Sequence, residues 1–347
     1  MTFEEVFTYQ NLYAAYRKCR RGVGWKHSTQ AYKVNAFVNL RAAQKSLLAG
    51  TWKSRGFIDF DIMERGKRRH IRSVHIAERV VQRCLCDNCL TPALGRPLIP
   101  DNSASRAGKG VDYALNRLEA HLRQHYRKHG REGFILLFDF RKFFDSISHD
   151  AIGQLVRRRV SDRRLADLTM GLVEMFGSVG LGLGSQISQS LALSVPDGMD
   201  HAIKERMRCR CYGRYMDDGY LIHQDKAYLL RCLNEIRREA AAFGVSVNEK
   251  KTQIIPLRRG FTWLKKKFSL SGTGGVVRRL SRKSVTRERR KLKALAGKIP
   301  PEDLTASYKS WEGCARKCRS WKTRQAMREV FSACLQKSRE RYSLSTT

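Results

Sequence analysis

The chain is organised around Cys209-Arg210-Cys211-Tyr212-Gly213-Arg214-Tyr215-Met216-Asp217-Asp218-Gly219-Tyr220-Leu221-Ile222-His223. Two adjacent carboxylates, Asp217 and Asp218, lie between β-leaning runs, Cys211-Tyr212-Gly213-Arg214-Tyr215 before and Tyr220-Leu221-Ile222 after. The spacing predicts a tight hairpin with the acids at its tip. Neighbours on a strand point to opposite faces, and a turn lifts that restriction, so both carboxylates can approach one site. Such a tip either holds divalent metal or is a solvated Asp-Asp-Gly turn, since Asp and Gly are favoured turn residues. The rest of the chain decides between the two.

Phe134-Ile135-Leu136-Leu137-Phe138-Asp139-Phe140 is a continuous apolar run ending on an acid, and it reads as a buried strand. A charge there needs a partner or a metal, because burying an isolated carboxylate is costly. Phe143-Phe144-Asp145-Ser146-Ile147 then turns into a helix, and the helical section over residues 150–176 is long enough to return the chain to the hairpin. Residues 177–185 form a glycine-rich loop leading into the small-residue helix Ile187 to Val195. A helix N-terminus after glycines can receive an anion or admit a close backbone. No Gly-Lys-Ser/Thr follows, so this is no phosphate-loop signature.

A formal net charge of +36 on 347 residues calls for a polyanion, and nucleic acid fits best. A membrane surface would need a basic amphipathic anchor or an apolar span of about 18 residues, and we expect no membrane association. Met1-Thr2-Phe3-Glu4-Glu5 is acidic and precedes no apolar run, which points to a cytoplasmic protein. The ten cysteines then stay reduced. Cys84, Cys86 and Cys89 fall in a helix-like stretch, and Cys209 and Cys211 flank a strand. These places suit buried small residues better than paired zinc knuckles.

Taken in order, residues 3–50 read as helices, and residues 57–64 and 69–74 as a hairpin turning at Gly66-Lys67. Its cations Lys67, Arg68, Arg69 and Arg72 are either a solvated basic edge or a clamp folding over a triphosphate. The polar loop over residues 101–110 carries two more cations, Arg106 and Lys109, which by themselves do not specify a phosphate contact. From about Gly274 basic residues crowd the chain, among them Arg282, Lys283, Arg287 and Arg290. We read this part as a helical module that packs on one face and presents cations on the other, either to a duplex backbone or to solvent.

Over about residues 57–268 these motifs, in this order, resemble those of reverse transcriptases. Tyr215-Met216-Asp217-Asp218 looks like the family's Y-x-D-D motif, and Asp139-Phe140-Arg141-Lys142-Phe143-Phe144-Asp145-Ser146-Ile147 like its first palm motif. Lys67-Arg68-Arg69-His70-Ile71 with Glu78-Arg79-Val80-Val81-Gln82 is similar to the finger motifs. Asn248-Glu249-Lys250-Lys251-Thr252 resembles L-N-x-x-K-T, and Phe261-Thr262-Trp263-Leu264 sits where the F-L-G primer grip would be. The resemblance implies an α+β right-hand polymerase, with fingers and an antiparallel palm sheet over residues 1–268 and a small, basic, all-helical thumb over residues 269–347. It implies catalytic and metal-holding roles for Asp139, Asp217 and Asp218, with two Mg2+ ions, or Mn2+ in their place. Deoxynucleoside triphosphate would meet Lys67, Arg69, Phe144, Leu183, Gly184 and Lys251, with Phe144 as a gate against the 2′-hydroxyl. Nucleic acid would meet Arg106, Lys109, Tyr215, Trp263, Arg282, Lys283, Arg287 and Arg290.

One departure narrows the resemblance. Most of the family has Q-G-x-x-x-S-P before the small-residue helix, and here the loop reads Leu183-Gly184-Ser185-Gln186-Ile187-Ser188-Gln189. This looks like diversity-generating retroelement reverse transcriptases and prokaryotic relatives, some in antiphage defence. The expected function is RNA-directed DNA synthesis with an RNA template and a dedicated structured non-coding RNA, with accessory subunits or a homo-oligomer as further partners. A catalytically idle nucleic-acid scaffold, template-independent DNA synthesis and RNA-directed RNA synthesis are the competing readings.

Overall fold

The computed structural model describes residues 1–64 and 66–343. At the N-terminus, helices Tyr9–Cys19, His27–Val34 and Ala36–Leu48 each bury one stripe, such as Leu12, Ala15 and Tyr16 in the first and Ala36, Leu40 and Leu47 in the third. Thr8 starts the first of them by accepting the Asn11 N–H. The first two pack against Ile76–Leu85, which buries Ile76, Val80, Val81, Cys84 and Leu85, and the third packs against the first two. Burial pushes the Cys84 thiol up to about 12 and Cys89 up to about 11, which disfavours the thiolate a metal would need.

Strands β1 (Ile58–Glu64) and β2 (Lys67–Ser73) pair antiparallel from Ile58↔Ser73 to Glu64↔Lys67. Every residue of β1 is exposed, and cross-strand charge pairs add to the main-chain ladder that joins it to β2. Arg68 bonds to Asp61, and Arg69 Nε lies 3.1 Å from Glu64 Oε2. The alternation seen in β1 thus separates acids from apolar residues without marking a buried face.

The central sheet has the order β4-β5-β3-β6, with a fifth strand, β7, also on β3. These are β3 (Phe134–Arg141), β4 (Tyr212–Tyr215), β5 (Asp218–His223), β6 (Ser246–Val247) and β7 (Gln253–Pro256). As expected of a buried strand, Ile135, Leu136, Phe138 and Phe140 of β3 are out of solvent. Helices His149–Arg159, Arg163–Glu174 and Gln186–Ser194 connect β3 to the hairpin. Ser148 and Asp162 cap the first two through the Ala151 and Leu165 N–H groups.

The chain divides into two compact units. The first takes Met1–Ala114, Phe138–Tyr220 and Ala227–Gln253; the second takes Leu115–Leu137, Leu221–Lys226 and the chain from Ile254 on. In the second, β8 (Phe261–Trp263), β9 (Lys266–Leu270) and β10 (Val276–Leu280) form an antiparallel sheet in the order β10-β9-β8. Helices Arg282–Leu295, Pro301–Arg316 and Trp321–Ser343 follow and enclose Leu292, Leu304, Tyr308 and Met327. Tyr308 stacks on Phe331 with centroids 4.1 Å apart. The basic module is therefore helical only from Arg282. Residues 276–280, expected to be helical, are a strand because the turn at Gly274-Gly275 brings the β-branched pair Val276-Val277 back onto β9. Among the described residues no helix is long and apolar enough to cross a membrane.

Candidate active site

The acidic hairpin forms as its sequence dictates. Two residues, Met216 and Asp217, join β4 to β5, and Asp218 opens β5. Met216 has φ 58°, a left-handed conformation that non-glycine residues rarely adopt. Gly219 follows because a Cβ there would lie 2.2 Å from the Phe138 ring. That close approach lets the Phe140 N–H donate to the Asp217 carbonyl at 3.3 Å, so β3 brings Asp139 beside the turn.

The turn is held from beneath by a residue whose role was missed in the sequence. Arg214 is fully buried, as is Asp200. Its Nε and Nη2 donate to the two Asp200 oxygens at 2.8 and 2.7 Å. Nη1 donates to the Met216 carbonyl at 2.8 Å and Nη2 also to the Leu193 carbonyl at 2.9 Å. Tyr212 donates its hydroxyl to the same Asp200. Arg214 thus fastens the left-handed residue of the turn. The available signal was an arginine two residues from Tyr212 on one strand face, which must find a carboxylate if that face is buried.

Asp139 is 6% exposed, and Lys251 Nζ sits 2.8 Å from each of its carboxylate oxygens. Asn248 Nδ2 adds a third bond at 3.2 Å. Burial, together with the Asp139 charge, raises the Asp217 carboxyl above its ordinary value. Burial and then the charges of Asp217 and Asp139 push Asp218 up to about 7. Burial opposes the charge on Lys251, but its bond to Asp139 and the neighbouring acids leave its pKa raised. Among the described residues no group of three or more His, Cys, Asp or Glu side chains stands in a ready metal-ligating arrangement. The donor chemistry nevertheless fits a hard divalent cation: three clustered acids share one lysine, and their mutual repulsion is what added positive charge relieves.

The glycine-rich loop threads between β2 and the end of β3. The Gly180 N–H donates to Ile147 O at 2.9 Å, Leu181 N–H to Phe144 O at 2.7 Å, and Arg72 N–H to Leu183 O at 2.9 Å. Gly180 has φ +82°, and a Cβ there would lie 2.6 Å from Asp145 O; at Gly184, with φ +108°, it would lie 2.9 Å from Ile71 Cγ2. Together these contacts leave a cavity of about 230 Å3 lined by His70, Arg72, Asp145, Phe176, Leu181 and Leu183. Of the residues expected at the nucleotide, Leu183 lines this cavity, Gly184 follows it in the loop, and Phe144 meets the loop through its carbonyl. Arg72 joins them, with Nη1 donating to Phe176 O at 2.9 Å. Arg69 pairs with Glu64, and its charge is felt by Asp217. The Lys67 side chain lies outside the described residues. Lys251, expected at the triphosphate, sits on Asp139.

The expected nucleic-acid contacts divide. Arg282, Lys283, Arg287 and Arg290 are exposed on their helix. Arg106 donates to the carbonyls of Ile99 and Asn102 at 2.9 and 3.1 Å, and Lys109 to that of Pro100 at 2.5 Å, so both fasten their own loop. Tyr215 is half-buried against the cluster of Leu98, Ala104 and Leu193. Trp263 departs from expectation: it is 5% exposed. In β8 the alternation buries Phe261 and Trp263 on one face and exposes Thr262, so the indole belongs to a core and offers no ring to a strand of nucleic acid.

A carboxylate-bearing palm sheet with a finger hairpin and a helical thumb is the architecture of right-hand polymerases. Residues 47–270, well over half of the chain, match the family described as reverse transcriptase (RNA-dependent DNA polymerase), and the chain belongs to that family. Two solved structures share the fold. Apo telomerase from Candida tropicalis, truncated from its C-terminal domain, aligns with a TM-score of 0.50 and 12% identity, covering 70% of this chain and 60% of that one. Telomerase from Candida albicans, in complex with a fragment of telomeric RNA, aligns with a TM-score of 0.51 and 10% identity, covering 82% of this chain and 55% of that one. The chain therefore spans under two-thirds of either telomerase. No curated protein matches it in sequence.

Proposed function

We propose that the chain is an RNA-directed DNA polymerase whose reaction centre is Asp139, Asp217 and Asp218. The observation that carries this is the clustering of three acids, one of them pushed up to about 7, around a single lysine inside the family-matching palm. A binding scaffold for nucleic acid has no use for concentrated negative charge facing a polyanion. Asp139, Asp217 and Asp218 would hold divalent cations, two Mg2+ or Mn2+, which would supply Lewis acidity to the primer 3′-hydroxyl and charge neutralisation to the triphosphate. Lys251 then exchanges Asp139 for a triphosphate oxygen, a move that its half-exposed side chain permits. Arg69 grips the remaining phosphate oxygens. Phe144 blocks a 2′-hydroxyl.

Leu183 lines the nucleotide cavity and offers no hydrogen bond, so base selection is loose. The setting we propose is a prokaryotic retroelement or antiphage system in which the enzyme works with its own structured RNA. Primer extension on an RNA template with Mg2+ and deoxynucleotides tests the assignment. Synthesis should vanish in Asp217→Asn, and undiminished synthesis there would sink the metal assignment. Leu183→Gln should lower misincorporation, and sequencing the co-purifying RNA identifies the partner. Extension without template would favour template-independent synthesis instead.

A further inference from the structure

We propose that the outer face of the N-terminal helices is a second docking surface, for single-stranded RNA, outside the polymerase stretch that begins at residue 47. The choice of RNA over DNA rests on the function proposed above; the surface itself does not. Between Glu5 and Asp59 the chain has no acidic residue and ten Lys or Arg. In this stretch Lys18 reaches Asp87 at 2.7 Å and Arg41 donates to Gln44, while among the described residues Arg17, Lys33 and Lys45 meet no carboxylate.

Apolar groups share that face. The Tyr13 and Phe37 rings stack with centroids 5.9 Å apart and planes at 16°, joining the outer faces of helices Tyr9–Cys19 and Ala36–Leu48 into one surface. Phe37 is 65% exposed, and Val34 and Val38 near it in the chain are 81% and 69% exposed. Side chains of this size, clustered and left in water, mark a contact site. Helical spacing sets Arg17 four residues after Tyr13, and Arg41 and Lys45 four and eight after Phe37, on the same rows. Trp25, 74% exposed, adds an aromatic face with Lys26 Nζ 5.6 Å from its centroid.

Aromatic faces interleaved with unpaired cations bind single strands, because every unstacked base offers a π-face and every phosphate a charge. A duplex hides its base faces, and a protein covering this surface would have to desolvate a set of cations for which the chain supplies no acids. A strand held here extends RNA contacts beyond the polymerase centre, as use of a dedicated RNA requires.

The test uses the full chain and a single-stranded RNA oligonucleotide carrying 4-thiouridine. Photo-crosslinks should map to Tyr13, Trp25 or Phe37. By fluorescence anisotropy Phe37→Ala should bind roughly tenfold more weakly, the loss of about one stacked base. Replacing Arg17, Lys33, Arg41 and Lys45 together by Gln should reduce the slope of log affinity against log salt by about 3, at about 0.7 for each single-strand phosphate contact. These side chains are exposed, so melting curves should coincide with that of the parent and confirm folding. Crosslinks confined to residues beyond 58, with affinity and slope unchanged, overturn the proposal. Loss of self-association in Phe37→Ala with RNA affinity intact also overturns it, in favour of a protein interface. Equal effects on a DNA strand overturn the choice of RNA. Binding is read without synthesis, so a chain that binds RNA here but extends no primer refutes the polymerase assignment and leaves this surface standing.

Discussion

Replacing Arg214 by Met tests whether the acidic turn is fastened from beneath. The substitution keeps an unbranched side chain of similar length and removes all four donated bonds: two to Asp200 at 2.8 and 2.7 Å, one to Met216 O at 2.8 Å and one to Leu193 O at 2.9 Å. Asp200, fully buried, is left without its cation. Removing one partner of a buried pair costs about 3–5 kcal/mol, much of it the penalty of the uncompensated charge left behind. That is a large share of the roughly 5–15 kcal/mol by which folded chains are stable. Urea unfolding of the parent and Arg214→Met should therefore separate by an amount in this range. Removing Asp200 as well, in Asp200→Leu/Arg214→Met, should recover much of the loss, because two apolar groups replace a pair and no charge is stranded. Synthesis should not recover with stability. The Met216 carbonyl has lost its donor, the left-handed residue is unfastened, and an error of about 1 Å at the reacting groups costs on the order of a hundredfold in rate. If Arg214→Met unfolds within about 1 kcal/mol of the parent and retains full synthesis, the fastening role is wrong. Recovery of both stability and activity in the double variant would show that the pair only fills space.

Three further outcomes follow from the geometry. Phe144→Ala should relax sugar selection, raising ribonucleotide incorporation relative to deoxynucleotide by at least about tenfold; an unchanged ratio in single-nucleotide extension would reduce Phe144 to a packing role. Gly180→Ala should destabilise by about 1–3 kcal/mol, because φ +82° is strained for alanine and its Cβ would lie 2.6 Å from Asp145 O; equal denaturation midpoints would contradict this. His125, buried and bonded through Nε2 to Glu132 O at 2.7 Å, has its pKa lowered by burial, with His129 and His223 adding to the effect. Its contribution to stability is fully present above the unfolded value near pH 6.5 and is lost as pH falls through the lower folded value. His125→Gln should therefore lose less stability than the parent between about pH 7 and 5, and parallel curves would refute the assignment.

Much of the site was legible because it is local. The alternation before and after Asp217-Asp218 specifies a two-residue hairpin, and the apolar run ending in Asp139 specifies a buried strand with a charge at its rim. The glycines over residues 177–185 announced a close backbone approach, which occurs at Gly180 and Gly184. Strand β10 was hidden by the basic residues around it, because its pairing with β9 is a matter of long-range register and charge patterning does not encode it. Trp263 was misplaced for a related reason. A three-residue strand carries too little periodicity to show which face is buried.

By itself, then, the sequence determined the order of the elements, the three acids and the turn that presents two of them, since each depends on residues adjacent in the chain. Tertiary structure alone decided what surrounds those acids. Lys251 lies on Asp139 across 112 residues of chain, and the Arg214–Asp200 pair grips Met216 from a helix and a strand that meet only in the folded protein. The physical reason is that charge and shape set a residue's chemistry, while a partner's identity depends on burial. In water Asp139, Arg214 and Asp200 are ordinary solvated ions; once water is excluded, each must find the neighbour of opposite charge that the fold delivers.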